Sequence, residues 1–306
     1  MRICYVYFDL IGAVYPGWEY RTSELLAELG HEVFVIPRHR CLHEGQIPLP
    51  KTADVCYVSN PMCVDVGLKV KEFMKIPLVV NWLDVPKALF SEEWRIKEYE
   101  RVREQAKQAD YFTAISETTA KDVEEWLGED CPEVKVNYIG VDSHLFQAFK
   151  PKEDGYLCAV TRGLAKQKQH NEIIQAVNLS KSKPPLKIIY GQYSDVQKAN
   201  VMSRSLFGVG MSNLEGFAVY VVEFGYYAKP FIGKRLPVFE EIYGDNIIYV
   251  ETPKEMGEKI DWLIQDEAAR KKAGEALQKV VCEKRLYLSD HALRLEKILC
   301  SMLETS

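Results

Sequence analysis

Short apolar runs recur along the chain, separated by polar stretches of helical period and by turns rich in Gly and Pro. The first run, 2–10, is apolar and aromatic, the pattern of a strand buried on both faces. Gly12, Pro16 and Gly17 mark a turn after it. Over 19–29 the residues Leu25, Leu26 and Leu29 share one helical face, and Gly30 stops the helix where a positive φ is cheap. Strands are expected at Glu32–Pro37, 54–59, 77–82, 111–115 and 134–139, with a charged helix over 91–108. Strand and helix alternating in this way imply a parallel sheet covered on both faces.

At 150–155 the chain turns polar and carries Pro151 and Gly155, a composition that reads as a linker. The pattern then restarts. Strands are expected at 156–160, 186–190, 206–211, 230–232 and 246–250, helices at 171–180 and 219–227, and an amphipathic helical tail from about 254 to 303. The expected domains are 1–150 and 151–290, with 291–306 a terminal helix able to pack back on the first. This is an α/β chain of two Rossmann-like parallel-sheet domains facing a central cleft, where ligands bind outside the carboxyl ends of the strands. Such an architecture fixes no chemistry by itself.

Composition narrows the classes. With 306 residues, 47% hydrophobic and 27% charged, the chain can bury two ordinary cores without staples. A net charge of −5 speaks against a nucleic-acid partner, so an anionic ligand has to be held by local charge. None of the eight cysteines forms a C-x-x-C pair and several lie in apolar runs, which points to free buried thiols in a reducing compartment. No apolar stretch reaches membrane-spanning length, and Met1-Arg2 runs straight into a strand, which leaves no room for a signal peptide. A cytoplasmic protein is expected, with peripheral membrane contact open. There is no D-x-D triplet and no His/Cys/Asp cluster with ligand spacing, so neither a metal nor a cofactor is expected.

Four places carry candidate chemistry. Around Glu215, Gly216 and Phe217 a strand ends, a turn follows and a helix begins; its first N–H groups can cradle phosphate or sugar oxygens. Glu215 and Glu223 bracket that turn, and carboxylates suit sugar and ribose hydroxyls. An acid placed near the positive end of a helix explains the same pattern. In the segment 160–168, Arg162 and Lys168, or Lys166 in its place, form a basic loop at a strand end that can bind a diphosphate or simply face solvent. Asp84 ends the strand at 77–82, as an acceptor-side acid or as a turn former before Val85-Pro86. Gly17 either brings backbone close to a donor phosphate or serves its Pro-Gly turn alone.

Glu215-Gly216-Phe217 followed by Glu223, with seven residues between the two acids, resembles the signature of glycosyltransferase family 4, retaining enzymes of the GT-B type. Glu223-Phe224-Gly225 through Pro230-Phe231-Ile232 is similar to the family's helix-to-strand passage, Leu236 to Ile242 and Gly244-Asp245-Asn246 to its next loop and strand, and Ile139-Gly140-Val141-Asp142 to its domain-crossing motif. The resemblance implies that Glu215 lies beside the donor sugar and Glu223 holds the ribose. It places backbone amides of Gly216 and Phe217 on sugar and phosphate, and Arg162 with Lys168 on the leaving diphosphate. Departures are equally plain. Leu83 stands where the family commonly has His before Asp84, Ala218 where it often has Gly, and Tyr220 where it often has Pro. The stretch 191–205 is shorter by about one strand and one helix in the region that helps hold the nucleobase.

The resemblance implies transfer of a hexose from a nucleoside-diphosphate sugar to an acceptor hydroxyl with retained anomeric configuration and no metal. The acceptor, whether glycan, lipid-linked or small molecule, would be read by the N-terminal domain. A sugar-nucleotide epimerase on the same fold, or a degenerate module that only binds sugar or nucleotide, are the competing expectations.

Overall fold

The computed structural model describes residues 1–8, 17–85, 93–161, 166–191 and 193–305; of Glu44, Glu93, Trp94, Arg95, Lys166 and Thr305 it describes the backbone alone. The chain divides into two compact units, Met1–Tyr138 with Leu288–Ser306, and Ile139–Tyr287.

The first unit contains β1 (Arg2–Tyr7), α1 (Trp18–Glu28), β2 (Glu32–Pro37), α2 (Arg38–Glu44), β3 (Val55–Val58), α3 (Val64–Met74), β4 (Leu78–Trp82), α4 (Glu93–Ala106), β5 (Tyr111–Ala114), α5 (Glu117–Leu127) and β6 (Val134–Val136). Its six strands form a wholly parallel sheet in the order β2-β1-β3-β4-β5-β6, with Ile3 opposite Val33 and Val55. Side chains alternate between the two faces. Cys4, Val6, Cys56, Val58, Val80 and Trp82 pack with Val66 and Val70 of α3 and Val123 of α5. Ile3, Tyr5, Val55, Tyr57 and Val79 pack on the other side, against Leu26 of α1 and Leu295, Leu299 and Met302 near the C-terminus. Burial on both faces explains why these strands read as continuous apolar runs rather than as alternating ones.

The second unit contains α6 (Ser143–Phe146), β7 (Leu157–Val160), α7 (His170–Leu179), β8 (Leu186–Ile189), α8 (Asp195–Arg204), β9 (Gly208–Gly210), α9 (Val219–Tyr226), β10 (Phe231–Lys234), α10 (Pro237–Tyr243), β11 (Ile248–Val250), α11 (Pro253–Gln265) and α12 (Glu267–Glu283). Its parallel sheet has the order β11-β10-β9-β7-β8. Leu157, Ala159, Val209 and Ile232 bury one face under Ile173 and Ala176 of α7 and Met256 and Ile260 of α11. The opposite face is kept shallow at Gly208: a Cβ there would stand 2.4 Å from the Phe224 ring of α9. The absent side chain lets α9, and the turn before it, lie close to the sheet.

Several expectations change. Helices α2 and α3 lie where none is expected. Val64, Val66 and Val70 are weak helix formers, and their burial against β3 and β4 overrides that preference. The segment from Pro237 is a helix, with Pro at its first position where the missing N–H costs nothing, rather than a loop. The tail is three helices, α11, α12 and α13 (Leu288–Thr305), the last belonging to the first unit and packing on α1. The polar stretch 150–155 lies inside the second unit, where Lys152 and Asp154 donate backbone N–H groups to the carbonyls of Ser203 and Arg204, and Glu153 pairs with Arg270. Among the described residues no helix is long and apolar enough to cross a membrane. All eight cysteines are free, and Cys4, Cys41, Cys56, Cys63 and Cys158 are buried.

One buried base ties α13 to the end of the first unit's chain. His291 is fully buried; its Nδ1 donates to the Tyr138 carbonyl at 3.1 Å, its Nε2 has no partner among the described residues, and its ring meets Trp18 edge-on. Burial pushes the imidazole down from 6.5 to about 4. A base depressed on folding contributes its stability in the neutral form, fully above its unfolded value, and loses it as pH falls from about 6.5 toward 4. By pH 5 the loss is expected to be about 2 kcal/mol. Urea unfolding of the protein and of His291→Leu between pH 7 and 4.5 checks this: the variant should show a shallower decline, and parallel declines would refute the assignment.

Candidate functional site

The candidate site is built on adjacent strands. Because β7 lies beside β9 and β9 beside β10, the loops leaving their carboxyl ends meet. From β7 the chain passes through a short 3₁₀ turn, Lys166–Lys168, into α7; from β9 it passes through residues 211–218 into α9. The loops are tied together by a backbone bond, Asn213 N–H to the Gln167 carbonyl at 2.9 Å, and by Lys234 of β10, whose Nζ donates to Asn213 Oδ1 at 2.6 Å.

Lys168 and Glu215 are brought into direct contact. Lys168 Nζ stands 2.5 Å from Glu215 Oε1, and the side chains are 12% and 9% exposed, so the pair is held largely away from water. Tyr220, in the first turn of α9, donates its hydroxyl to the same Oε1 at 2.8 Å, and Lys168 Nζ lies 5.0 Å from the Tyr220 ring centroid. Burial, and after it the Glu215 charge, keep the Tyr220 hydroxyl well above its usual pKa and therefore a donor. His170, at the start of α7, is hydrogen-bonded to Thr161, and burial with the nearby Lys168 charge lowers its pKa.

Helix α9 is preceded by Ala218 at its N-cap, which adopts the left-handed conformation, φ 61° and ψ 64°. That conformation accounts for the glycine expected here, since a Cβ at positive φ is strained. Ala218, at the N-cap, has no side chain able to cap the helix. Phe217 is 1% exposed and anchors the turn in the core.

Glu223, one turn into α9, is only 4% exposed and is not beside Glu215 in the ion pair. Its Oε1 accepts from Lys198 of α8 at 2.6 Å, its Oε2 is buried with no partner among the described residues, and Lys198 also reaches Asp195 at 3.0 Å. Burial alone would lower the Lys198 ammonium, but Glu223 and Asp195 outweigh it and hold it charged. The stretch expected to be short thus folds as a helix, fixed by a Ser194–Gln197 capping box, that delivers a cation to the second acid. Removing one member of a buried pair strands the other's charge. Lys198→Met is therefore expected to cost about 3 kcal/mol of stability, most of it recovered in Lys198→Met/Glu223→Gln. Thermal unfolding of the single and double variants checks this; a double variant no better than the single one would show that the charge is not the cause.

Of the other predicted residues, Asp84 and Gly17 belong to the first unit. Arg162 falls outside the described residues, and of Lys166 only the backbone is described. Asp84 follows β4 in the first unit and accepts from the Tyr99 hydroxyl of α4. Gly17 precedes α1, with its carbonyl accepting from Arg21 N–H at 3.3 Å, and a Cβ there would meet no atom within 4 Å. One cluster had no signal in the sequence pattern. At the carboxyl ends of β1 and β3, Glu19 Oε2 accepts from Ser59 Oγ at 2.6 Å and from Phe8 N–H at 3.4 Å, while Asn60 Nδ2 donates to Glu19 Oε1 at 3.4 Å. Glu19 reads as one more polar position of an amphipathic helix, and only its place in the fold sets it apart. Among the described residues there is no group of three His, Cys, Asp or Glu side chains able to hold a metal ion.

The chain superposes along its whole length on solved structures. The sucrose-phosphate synthase of Thermosynechococcus elongatus matches with a TM-score of 0.76 at 12% identity, covering 100% of both chains. A glycosyltransferase of Rickettsia africae matches with a TM-score of 0.72 at 14% identity, over 100% of this chain and 99% of that one. HepE of Anabaena, in complex with UDP-glucose, matches with a TM-score of 0.72 at 14% identity, over 98% of this chain and 100% of that one. The fold is GT-B. No protein-family profile matches the chain, and no curated protein does. At these identities the likeness concerns the GT-B architecture; what the site does rests on its own residues.

Proposed function

We propose that this GT-B chain is a glycosyltransferase that moves a hexose from a nucleoside-diphosphate sugar to an acceptor hydroxyl, retaining the anomeric configuration. The observation that carries the proposal is the buried Lys168–Glu215 pair with the Tyr220 hydroxyl on it, at the carboxyl ends of β7 and β9 and beside the start of α9. A cation and an acid held at such an edge suit the two halves of a sugar nucleotide, diphosphate and sugar hydroxyls. HepE, similar over its full length, was solved with UDP and with UDP-glucose, which makes a uridine nucleotide the first donor to test.

In the proposed reaction the bond from the anomeric carbon to the diphosphate oxygen breaks as the acceptor oxygen attacks from the same face. The acceptor proton passes to a donor phosphate oxygen. Negative charge grows on the departing diphosphate, and Lys168, Arg162 and the N–H groups opening α9 take it up without a metal ion. Glu215 holds the hydroxyls of the transferred sugar, and Glu223 offers Oε2 to the ribose. Asp84 and Gly17, in the first unit, serve acceptor and donor phosphate respectively.

Thermal unfolding with UDP, GDP, ADP and CMP tests the proposal. A ligand at a hundredfold excess over its dissociation constant stabilises the native state by about 2.7 kcal/mol, a rise of several degrees. A rise with one nucleoside diphosphate, reduced in Arg162→Ala and Lys168→Met, is the expected result. No rise with any nucleotide would overturn the reading.

A further inference from the structure

Tyr220 stands where a proline is expected, and the side chain found there is built into the acid–base pair. It is 7% exposed, its ring packs against Phe231 with centroids 5.7 Å apart, and a Cβ on Gly210 would approach its hydroxyl to 3.7 Å. The hydroxyl is thus clamped between strand and helix, with its proton on Glu215 Oε1 at 2.8 Å. Lys168 shares that oxygen at 2.5 Å.

The two donors differ in freedom. The Lys168 ammonium sits on a flexible four-carbon stem and is a point charge that can turn toward another anion. The Tyr220 hydroxyl is fixed by a buried ring. A diphosphate brought to Lys168 carries more negative charge than one carboxylate and so competes for the ammonium with Glu215. When the ammonium turns to the diphosphate, Tyr220 is the donor that stays on the nearly buried Glu215 carboxylate among the described residues. A lone buried acceptor is costly, and an unheld carboxylate rotates.

Resting on the function proposed above, we infer that Tyr220 is a positioning residue: its hydroxyl stays on Glu215 Oε1 when Lys168 passes to the diphosphate, and so holds Oε2 toward the hydroxyls of the donor sugar. Lys168 then governs the nucleotide half of the donor and Tyr220 the sugar half.

The test compares dissociation constants for UDP and for the tightest of UDP-glucose, UDP-galactose and UDP-N-acetylglucosamine, by calorimetry on the full chain and on Tyr220→Phe. The variant keeps the ring and its contact with Lys168 and removes only the donor. Tyr220→Phe should bind UDP within about threefold of the unmodified protein, and the sugar nucleotide about tenfold more weakly, the usual worth of a hydrogen bond to a charged group. UDP release from the sugar nucleotide with water as acceptor should slow as well. Equal weakening toward UDP and its sugar would make Tyr220 merely structural and overturn the inference. Unchanged binding of both would overturn it too, as would an unmodified protein that does not distinguish UDP from any of the sugars. An unmodified protein that binds no nucleotide at all would instead remove the glycosyltransferase reading on which the inference stands. Comparing unfolding midpoints of the two ligand-free proteins separates a folding defect from a binding one.

Discussion

If the chain transfers sugar as proposed, Lys168→Met is expected to slow the reaction about 10²- to 10³-fold, the usual effect of deleting one preorganised group that meets developing charge. The side chain is 12% exposed and held by Glu215, so its charge acts through little water and needs little reorganisation when the diphosphate departs. Methionine keeps the stem's bulk and removes only the ammonium. The same variant should bind UDP more weakly, because the diphosphate loses its partner in the ground state as well. Initial rates and UDP affinity measured together distinguish the contributions: rate falling further than affinity marks a group that acts on the transition state. A variant within threefold of the unmodified rate would exclude Lys168 from the chemistry and leave the pair with Glu215 a structural ion pair. Stability is a second readout, since Glu215 is then left nearly buried with the Tyr220 hydroxyl as its one side-chain donor among the described residues.

A large effect on the fold is also expected at Gly274, in the middle of α12. Alanine in a helix interior ordinarily stabilises by up to about 1 kcal/mol over glycine. Here a Cβ would stand 1.9 Å from the Ala228 carbonyl oxygen and 2.6 Å from its carbon, so the clash is with backbone and no rotamer relieves it. Ala228 itself is at φ 53° in the turn between α9 and β10, which leaves that segment few alternatives. Helix α12 would have to move off α9, losing contacts around Leu277 and Val281, which are buried beside Gly225. Gly274→Ala is expected to destabilise by about 3 kcal/mol, the upper part of the usual overpacking range. In thermal unfolding this is a drop of roughly 10 °C. A midpoint at or above that of the unmodified protein would mean that α12 does not lie against this turn as described.

Features set by local rules were legible along the chain. Runs such as Ile3 to Val6 and Leu78 to Val80 are apolar throughout, as in strands covered on both faces; the two parallel sheets follow. The passage from β9 through Glu215 into α9 was legible for the same reason, since the end of a strand, a turn and a helix start are short-range signals. Even the expected glycine at 218 has a local meaning, the left-handed turn that Ala218 now makes. Valine-rich α3 was illegible because its helix is chosen by burial and not by propensity.

Convergence of distant residues was decided only by the tertiary structure. Lys168 and Glu215 are 47 positions apart, and nothing in their spacing pairs them; they meet because β7 lies beside β9. Lys198 comes to Glu223 because α8 packs on α9, and His291 to Tyr138 because the last helix returns to the first unit. Residue type and period are written along the chain, whereas strand order and helix packing are settled by the burial of whole faces, and those decide which charges meet.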